Sequence, residues 1–399
     1  MNITPRIPGT RFLHSPGPTR VPDEVLAAMA RQPMDLGDPR VAQLTAACEQ
    51  GMKDLLDAPG CEVFFYSANG HGGWEAVIAN LVAPGQKVLV PGTGHFSDSW
   101  ALQVQAFGGQ PIRTPYTEGH PIDPLAVQAA LQADSAHEIA AVYVVHTDTA
   151  SSVTSDLAAI RAAIDAAAHP ALFVVDVVAS LAAAPFSMQA LRVDVAMGAS
   201  QKGMMLQPGL AFVAASERAL EAARHNPAPR YYWDWRLRQS ELLYRKFCGT
   251  PPLALLAGLQ AALGLIALEG LPQVHARHRR LAAAVHAAVQ AWGSAGAVKL
   301  FARVPAARSV SVTAVELAPG LDPEAVRTTA RERFQVAVAG GLGPLAGRVF
   351  RIGHLGDMNE AMILGALAGV QAAMQVHGVP FGPGGVDAAV ASLAQAHGG

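Results

Sequence analysis

Short apolar runs recur through the middle of the chain and are separated by longer patterned stretches. Each run is nearly continuously hydrophobic, which is typical of strands that are buried on both faces. Glycine, proline or polar residues bound most of the runs, as expected at strand ends. The pattern predicts strands at Glu62–Tyr66, Lys87–Val90, Gln110–Arg113, Ile139–Val145, Ala171–Asp176, Val193–Met197 and Leu210–Ala214.

Helix-like patterns fill most of the gaps between these strands. They predict helices at Gly73–Leu81, Phe96–Phe107, Pro124–Gln132 and Leu157–Ala168. Alternating strands and helices favour an α/β fold, in which helices cover both faces of a parallel or mixed sheet. In such sheets ligands bind beyond the carboxyl ends of the strands. We therefore look for functional residues just after the predicted strands.

The pattern changes after Thr250-Pro251-Pro252, where a long helical region runs from Leu253 to Trp292 with a break near Gly270. A smaller α+β unit follows. Its predicted strands are Val298–Phe301, Ser309–Val315, Phe334–Val338 and Val349–Ile352, and its predicted helices are Pro323–Arg333 and Asn359–Val376. The end of the chain, rich in glycine, proline and alanine, is predicted to be flexible. We divide the chain into an N-terminal segment at 1–20, a large domain at 21–255, a smaller C-terminal domain at 256–377 and a tail at 378–399.

The composition indicates a folded protein. Of the 399 residues, 51% are hydrophobic and 15% are charged, and the formal net charge is −2. This balance excludes a disordered chain and gives no general attraction to nucleic acid. Residues 1–18 lack the basic and apolar parts of a signal peptide, and no apolar stretch reaches the roughly 18 residues of a membrane span. We expect a soluble cytoplasmic protein without nucleic-acid or membrane partners.

The three cysteines, Cys48, Cys61 and Cys248, are widely spaced. They form no CxxC pair and no Cys/His spacing of the kind that binds metal. Free thiols in a reducing compartment are the simplest interpretation, and we expect no metal site.

Lysine is scarce in this chain, and one of its five lysines stands out. Lys202 lies in Gly198-Ala199-Ser200-Gln201-Lys202-Gly203, a loop of mostly small residues just beyond a predicted strand. A lysine that forms a Schiff base needs a lowered pKa, which burial or a nearby cation supplies. Lys202 is therefore a candidate for covalent chemistry, although its loop position alone also fits an ordinary lysine.

Asp176 ends the apolar run that begins at Ala171. A carboxylate at this position can cap a helix, bind a metal or form an ion pair. It can also hold the proton on a cofactor's pyridinium nitrogen and so make the ring an electron sink. Since strand ends meet at one edge of a sheet, Asp176 and Lys202 are expected to face the same crevice.

A glycine-rich turn, Ser67-Ala68-Asn69-Gly70-His71-Gly72-Gly73, follows one strand and opens a helix pattern. Backbone N–H groups at such a helix start can bind phosphate. The turn matches neither a Walker A motif nor GxGxxG. A purely structural turn is therefore an alternative to a phosphate site.

Taken together, several segments resemble the class V aminotransferases, and most closely the alanine/serine–glyoxylate branch. Their order fits from about Ser15 to Met374. The resemblance is carried by Ser67–Glu75, Val145–Thr149, Val175–Ser180, Gly198–Lys202, Gly340–Gly343 and Phe350–Gly356. It implies a fold-type I enzyme with pyridoxal 5′-phosphate (PLP) as cofactor, a large mixed or parallel-sheet domain and a smaller C-terminal α+β domain. It also implies a homodimer with active sites at the subunit interface.

The resemblance assigns roles around the cofactor. Lys202 would carry PLP covalently and move the proton between the substrate's α-carbon and C4′ of the cofactor. Asp176 would pair with the ring nitrogen, Val178 would lie under the ring and Phe96 would stack on its other face. Thr149 would bond near the phenolic oxygen or the phosphate side. The phosphate would be bound by Asn69, Gly70, His71 and Gln201, together with Thr250 from the partner subunit.

Two further positions would bind substrate. Arg351 would hold the substrate carboxylate in a bidentate fork. Gly17 belongs to Ser15–Thr19, which resembles the N-terminal stretch that lines the family's substrate pocket. Without the resemblance, a structural role for Arg351, paired with a carboxylate, would be the favoured interpretation.

The sequence departs from the family at several places. Met34–Pro39 replaces a histidine- and serine-containing step, Phe247 replaces a tyrosine, and Asn69 replaces a hydroxyl residue. These departures leave open the choice of amino donor. Other expectations concern histidines: the helix at Val274–His278 is predicted to be a solvated face, and His354 to contact substrate or to pack in a turn.

The resemblance implies an aminotransferase that moves an amino group from a small amino acid to a 2-oxo acid, with glyoxylate or pyruvate as acceptor. A PLP-dependent lyase, or another class V enzyme acting on a small amino acid or aminophosphonate, is the alternative. Desulfurases use a mobile cysteine in the small domain, and no cysteine follows Cys248. A non-catalytic scaffold would not need Lys202, Asp176 and Arg351 together.

Overall fold

The computed structural model describes residues 8–397. The first seven residues of the predicted N-terminal segment and the last two of the predicted tail therefore lie outside the described part. The strands are β1 (Phe12–His14), β2 (Glu62–Tyr66), β3 (Lys87–Pro91), β4 (Gln110–Thr114), β5 (Ile139–Val145), β6 (Thr147–Asp148), β7 (Val153–Thr154), β8 (Leu172–Asp176), β9 (Val195–Ala199), β10 (Ala211–Ala215), β11 (Val298–Leu300), β12 (Val312–Leu317), β13 (Val336–Gly340) and β14 (Val349–Gly353).

Helices connect most of these strands. They are α1 (Asp23–Met29), α2 (Pro39–Leu56), α3 (Gly70–Leu81), α4 (His95–Ala106), α5 (Pro124–Ala133), α6 (Leu157–Ala166), α7 (Met188–Leu191), α8 (Glu217–His225), α9 (Trp235–Arg238), α10 (Leu243–Lys246), α11 (Leu253–Glu269), α12 (Leu271–Trp292), α13 (Pro323–Arg333), α14 (Glu360–Val376) and α15 (Gly385–His397).

The predicted α/β fold is confirmed by a seven-stranded mixed sheet with the order β2-β10-β9-β8-β5-β3-β4. Only β10 runs antiparallel to its neighbours. Successive side chains point to opposite faces, so Phe65 joins one apolar core while Phe64 joins the core on the other side. Burial on both faces explains why these strands read as unbroken apolar runs. The carboxyl ends of β5, β8 and β9 meet at one edge.

A second, five-stranded sheet has the order β1-β13-β14-β12-β11. The N-terminal strand β1 pairs in parallel with β13 and so ties the start of the chain to the C-terminal unit. The helix α11 packs on α1 and α2, and Leu256 and Leu259 belong to the large-sheet core. The helix therefore belongs with the large domain, and the change between domains comes after the predicted residue 255.

The end of the chain is not the flexible tail that composition predicted. Helix α15 packs against α12, and its Ala389 and Leu393 are buried in the small-domain core. Its apolar positions recur at a helical period, which gives the helix a face to bury. The glycine- and proline-rich stretch before it is only the connection to α14.

Among residues 8–397, no single helix is long and apolar enough to cross a membrane; only the pair Leu253–Glu269 and Leu271–Ala295, bent by 84°, meets that criterion jointly. The described residues also contain no cluster of three or more His, Cys, Asp or Glu side chains placed to hold a metal ion.

Candidate active site

A cavity of about 330 Å³ lies beyond the carboxyl ends of β5, β8 and β9, where the large and small sheets approach each other. Eleven of the twelve predicted site residues line it, and Thr250 is the exception. The eleven are Gly17, Asn69, Gly70, His71, Phe96, Thr149, Asp176, Val178, Gln201, Lys202 and Arg351. The structure thus brings together residues from both ends of the chain.

Lys202 is buried in the loop that follows β9. Its Nζ donates to the carbonyl of Pro16 and lies 3.5 Å from Oγ1 of Thr149. Burial, and secondly the positive charge of Arg351, lower the pKa of Lys202 to about 7, against the opposing effect of Asp176. A substantial fraction of the amine is therefore neutral near pH 7, as covalent chemistry at nitrogen requires.

Gly17 is needed to leave room for this lysine. Its φ is +121°, and a Cβ there would stand 2.5 Å from Cδ and from Cε of Lys202. No other residue type offers both the backbone conformation and the space.

Asp176 ends β8 and is buried. Its Oδ1 accepts from the Val178 amide at 2.7 Å, and its Oδ2 accepts from the indole N–H of Trp74 at 2.9 Å. Burial raises the pKa of Asp176 to about 7, although the Val178 amide, Trp74 and Lys202 all oppose the rise. A cationic ring nitrogen placed beside this carboxylate would favour its ionised form.

The start of α3 forms the anion-binding part of the cavity. Asn69 is the N-cap residue, and its side chain accepts from the Gly72 amide at 3.2 Å. The amides of Gly70 and His71 are in the first turn, where no intrahelical acceptor exists. The side-chain oxygen of Gln201 is buried without a hydrogen-bond partner among the described residues. These groups suit a bound phosphate.

Arg351 reaches the cavity from β14 of the small sheet. Its Nε donates to the Gly340 carbonyl at 2.7 Å, and one terminal nitrogen donates to the Thr149 carbonyl at 3.0 Å. Burial lowers the pKa of Arg351 to about 10, against the opposing effect of Asp148, so the guanidinium remains charged at neutral pH. The two carbonyls fix its plane, which is the arrangement that a carboxylate fork requires.

The residues present fit PLP. The helix start of α3 suits the phosphate, Asp176 suits the ring nitrogen and Lys202 suits the aldehyde, while Phe96 and Val178 provide apolar surfaces on the cavity wall. The individual roles of these residues stay predictions, since they follow from placement.

Thr250 lies in a different place, on a larger groove of about 980 Å³. The groove is also lined by Met34, Asp35 and Leu36, so the departure at Met34–Pro39 and Thr250 share one surface. Asp38 of that stretch is the N-cap of α2 and pairs with Arg40. Neither Asp35 nor Asp38 lines the cavity that contains Lys202.

Two residues that shape the site, Trp74 and Asp148, are not among the predicted site residues. Trp74 supports Asp176, and the carboxylate of Asp148 lies behind the cavity wall and binds three backbone amides. Trp74 had no local signal, because it reads as a helix core residue. Asp148 lay inside the segment that carries the resemblance, and its burial was the missing information.

Two histidines outside the cavity, His278 and His354, are buried. His278 is buried, binding the Val274 carbonyl and the Gly356 amide, so the solvated face predicted for its helix is wrong there. His354 is also buried, between Thr313 and the Val310 carbonyl, and packs in the turn.

The family model described as aminotransferase class V matches residues 11–345. The chain is 40% identical to the serine–glyoxylate aminotransferase of Methylorubrum extorquens, over 97% of this chain and 96% of that protein. It is also 40% identical to the L-aspartate–glyoxylate aminotransferase of Paracoccus denitrificans, over 92% and 91%.

Among solved structures, the ureidoglycine–glyoxylate aminotransferase of Bacillus subtilis matches with a TM-score of 0.88 and 26% identity, covering 97% of this chain and 99% of that one.

Proposed function

The chain belongs to the class V aminotransferase family, and on that premise we propose that it transfers an amino group from a small neutral amino acid to glyoxylate. Membership of this family makes it a PLP-dependent aminotransferase. The proposal rests above all on the convergence of Lys202, Asp176 and Arg351 on one cavity.

Each of these side chains has a defined task. Bound PLP supplies an electron sink for negative charge at the α-carbon of the donor. Lys202 holds the cofactor and moves the proton at that carbon, for which a pKa near neutrality is suited. Asp176 holds the proton on the ring nitrogen. Arg351 binds the α-carboxylate that donor and acceptor share, so one site serves both half-reactions.

The charges around the cavity favour a neutral donor over aspartate. A second carboxylate on the substrate would need a second cation. Among the described lining residues, Arg351 is the one permanent cation, because Lys202 has a pKa of about 7. His71 does not supply another, because burial and the neighbouring His95 lower its pKa, leaving it mainly neutral near pH 7. Serine, alanine and glycine therefore fit better.

Glyoxylate as acceptor is supported by the relatives, since both 40%-identical proteins carry it in their names. The cavity supports it independently. The same 330 Å³ has to hold substrate and cofactor, which favours a small 2-oxo acid.

We further propose a homodimer in which Thr250 completes the partner's site. Thr250 is exposed on the large groove and does not line the cavity of its own chain. Large side chains with apolar surface are exposed in the segment that precedes Thr250 in the sequence: Tyr231 at 74%, Tyr244 at 66% and Leu242 at 62%. Such a surface is typical of a protein interface.

The free cysteines support a cytoplasmic location, because reduced thiols persist there.

A substrate panel tests the activity. Serine, alanine, glycine and aspartate are each paired with glyoxylate or pyruvate, and kcat/KM is measured for each pair. We expect serine or alanine with glyoxylate to give the highest value. A preference for aspartate would refute the neutral-donor proposal. Donors that bleach the cofactor band without any 2-oxo acid restoring it would favour the lyase alternative.

Mixed dimers test the role of Thr250. A Lys202→Ala subunit combined with a Thr250→Ala subunit contains one site with both residues intact only if Thr250 acts across the interface. We expect activity to rise on mixing toward half of the wild-type value per mixed dimer. No rise, with mixed dimers demonstrated by tagged subunits, would refute a role across the interface.

A further inference from the structure

Asp148, a carboxylate without an assigned role, is completely buried next to the active-site cavity. It ends β6, the first strand of the small hairpin formed with β7. Its Oδ2 accepts from the Phe96 amide at 2.8 Å, and its Oδ1 accepts from the amides of Ala150 and Ser151 at 2.9 Å each. One side chain thus fixes two chain segments.

The first segment is the start of α4. The N-cap residue of this helix is Gly94, which has no side chain to accept from the first-turn amides. Asp148 supplies the missing acceptor from 52 residues away, and a carboxylate at a helix N-terminus is also favoured by the helix dipole. Gly94 has a φ of +150°, and a Cβ there would stand 2.9 Å from the carboxylate. The close approach of the two segments therefore depends on glycine.

The second segment is the turn 149–152, which contacts Arg351, the residue proposed to bind the substrate carboxylate. The Thr149 carbonyl accepts from Arg351, and the Thr149 hydroxyl lies 3.5 Å from Nζ of Lys202. The Ser152 hydroxyl accepts from the Ala314 amide of β12, which anchors the turn to the small domain. Fixing this turn fixes the guanidinium that it supports.

We propose that Asp148 is a positioning residue that holds Phe96, the cofactor's stacking residue, and Arg351, the carboxylate receptor, in register with each other. The negative charge of Asp148 also affects the site, because it acts to raise the pKa values of Lys202, Asp176 and Arg351. Burial raises the pKa of Asp148, while its three amide donors favour the ionised form. The kinetic part of this inference rests on the proposed aminotransferase function; the structural part does not.

The test compares three variants. Asp148→Asn keeps the shape of the side chain and removes its charge. If the amide oxygen accepts from Ala150 and Ser151, the NH₂ group faces the Phe96 amide, and the hydrogen bond to Phe96 is lost because both groups are donors. Asp148→Glu keeps the charge and moves it by one methylene. Asp194→Asn is the matched control, since Asp194 is a buried carboxylate that accepts from the Phe173 amide and pairs with Arg218, away from the cavity.

The first readout needs no cofactor and no substrate. In the cofactor-free protein, Asp148→Asn should speed hydrogen exchange at the Phe96 amide by at least about tenfold, the loss expected for one hydrogen bond to a charged acceptor. Asp194→Asn should leave that amide unchanged. Unchanged exchange in Asp148→Asn would overturn the positioning of α4, whatever reaction the enzyme catalyses.

The second readout uses the holoenzyme. Without the negative charge, the pH midpoint of the absorbance change of the Lys202-bound cofactor should move to lower pH in Asp148→Asn and stay near wild type in Asp148→Glu. The KM of the donor should rise about tenfold or more in both variants, because Arg351 loses its fixed support. If Asp148→Asn resembles Asp194→Asn, with lower stability but unchanged midpoint and KM, the residue is merely structural and the inference is wrong.

Discussion

The indole N–H of Trp74 donates a 2.9 Å hydrogen bond to Oδ2 of Asp176, across 102 residues of sequence. Both side chains are buried, and the bond stabilises the ionised form of a carboxyl whose pKa burial has raised to about 7. The charge that Asp176, at the end of strand β8, offers to a ring nitrogen therefore depends on a residue of helix α3.

Replacing Trp74 by phenylalanine should raise the pKa of Asp176 further, because one donor to the carboxylate is lost. A hydrogen bond to a charged group contributes about 1.5–3 kcal/mol. We therefore expect PLP affinity and kcat to fall by about tenfold or more, with the larger deficit below pH 7. Affinity is measured by cofactor titration of the apoenzyme at several pH values.

Trp100→Phe is the matched control for that variant. Trp100 stacks on Trp74 at 5.3 Å between ring centroids and is equally buried, but its N–H has no partner among the described residues. Its loss should lower stability and leave PLP affinity within about twofold. Equal effects of the two substitutions would mean that packing, and not the hydrogen bond, is responsible.

Gly17→Ala should displace Lys202, since the new Cβ would overlap its Cδ and Cε. Displacement of a reacting group by about 1 Å can cost on the order of a hundredfold in rate, and we expect a loss of kcat of that size. Gly320→Ala has comparable backbone strain, at φ +88°, but open space around the new Cβ. Steady-state kinetics should show normal turnover for the Gly320 variant. Wild-type kcat in Gly17→Ala would contradict the placement of the lysine.

Arg351→Lys keeps a positive charge but removes the planar fork. At about 1.5–3 kcal/mol for each charged hydrogen bond, the donor's kcat/KM should fall by about tenfold to a hundredfold. PLP affinity should change little, because the protein groups that would bind the phosphate of PLP lie at the start of α3. Arg348→Lys is the control, because Arg348 directly precedes β14, is partly exposed and pairs with Glu118 and Glu316; this variant should retain normal kinetics.

Acid should destabilise the small domain through its buried histidines. Burial lowers the pKa of His14 and His278 from 6.5 to about 4, and that of His354 well below 6.5. The unfolded chain therefore binds more protons than the folded one, and the free energy of unfolding falls as pH falls from 6.5 toward 4. Each histidine contributes a slope of at most about 1.4 kcal/mol per pH unit.

Urea titrations between pH 4 and 7 measure this slope. His14→Phe should reduce it by about one proton, whereas His225→Gln, which changes an exposed histidine, should leave it unchanged. A slope that is the same in both variants would show that carboxyl groups, and not the buried histidines, determine the acid sensitivity.

The sequence alone could predict the functional residues that lie at or just after strand ends. Lys202 and Asp176 follow apolar runs, so their meeting at one edge is a consequence of parallel pairing. The contacts of Trp74 with Asp176 and of Asp148 with Phe96 join separate elements, and no local pattern encodes such distances. The prediction of a flexible tail was wrong because the composition of the tail does not reveal its helical period, which lets α15 bury Leu393.

The central claim is that Lys202 carries the cofactor, and borohydride trapping tests it most directly. Reduction of the holoenzyme followed by peptide mapping should place the cofactor mass on the peptide that contains Lys202. The Lys202→Ala variant should bind PLP without a covalent label and should not turn over. A label on Lys53, Lys87, Lys246 or Lys299, or a wild-type protein that stays colourless with PLP, would contradict the account.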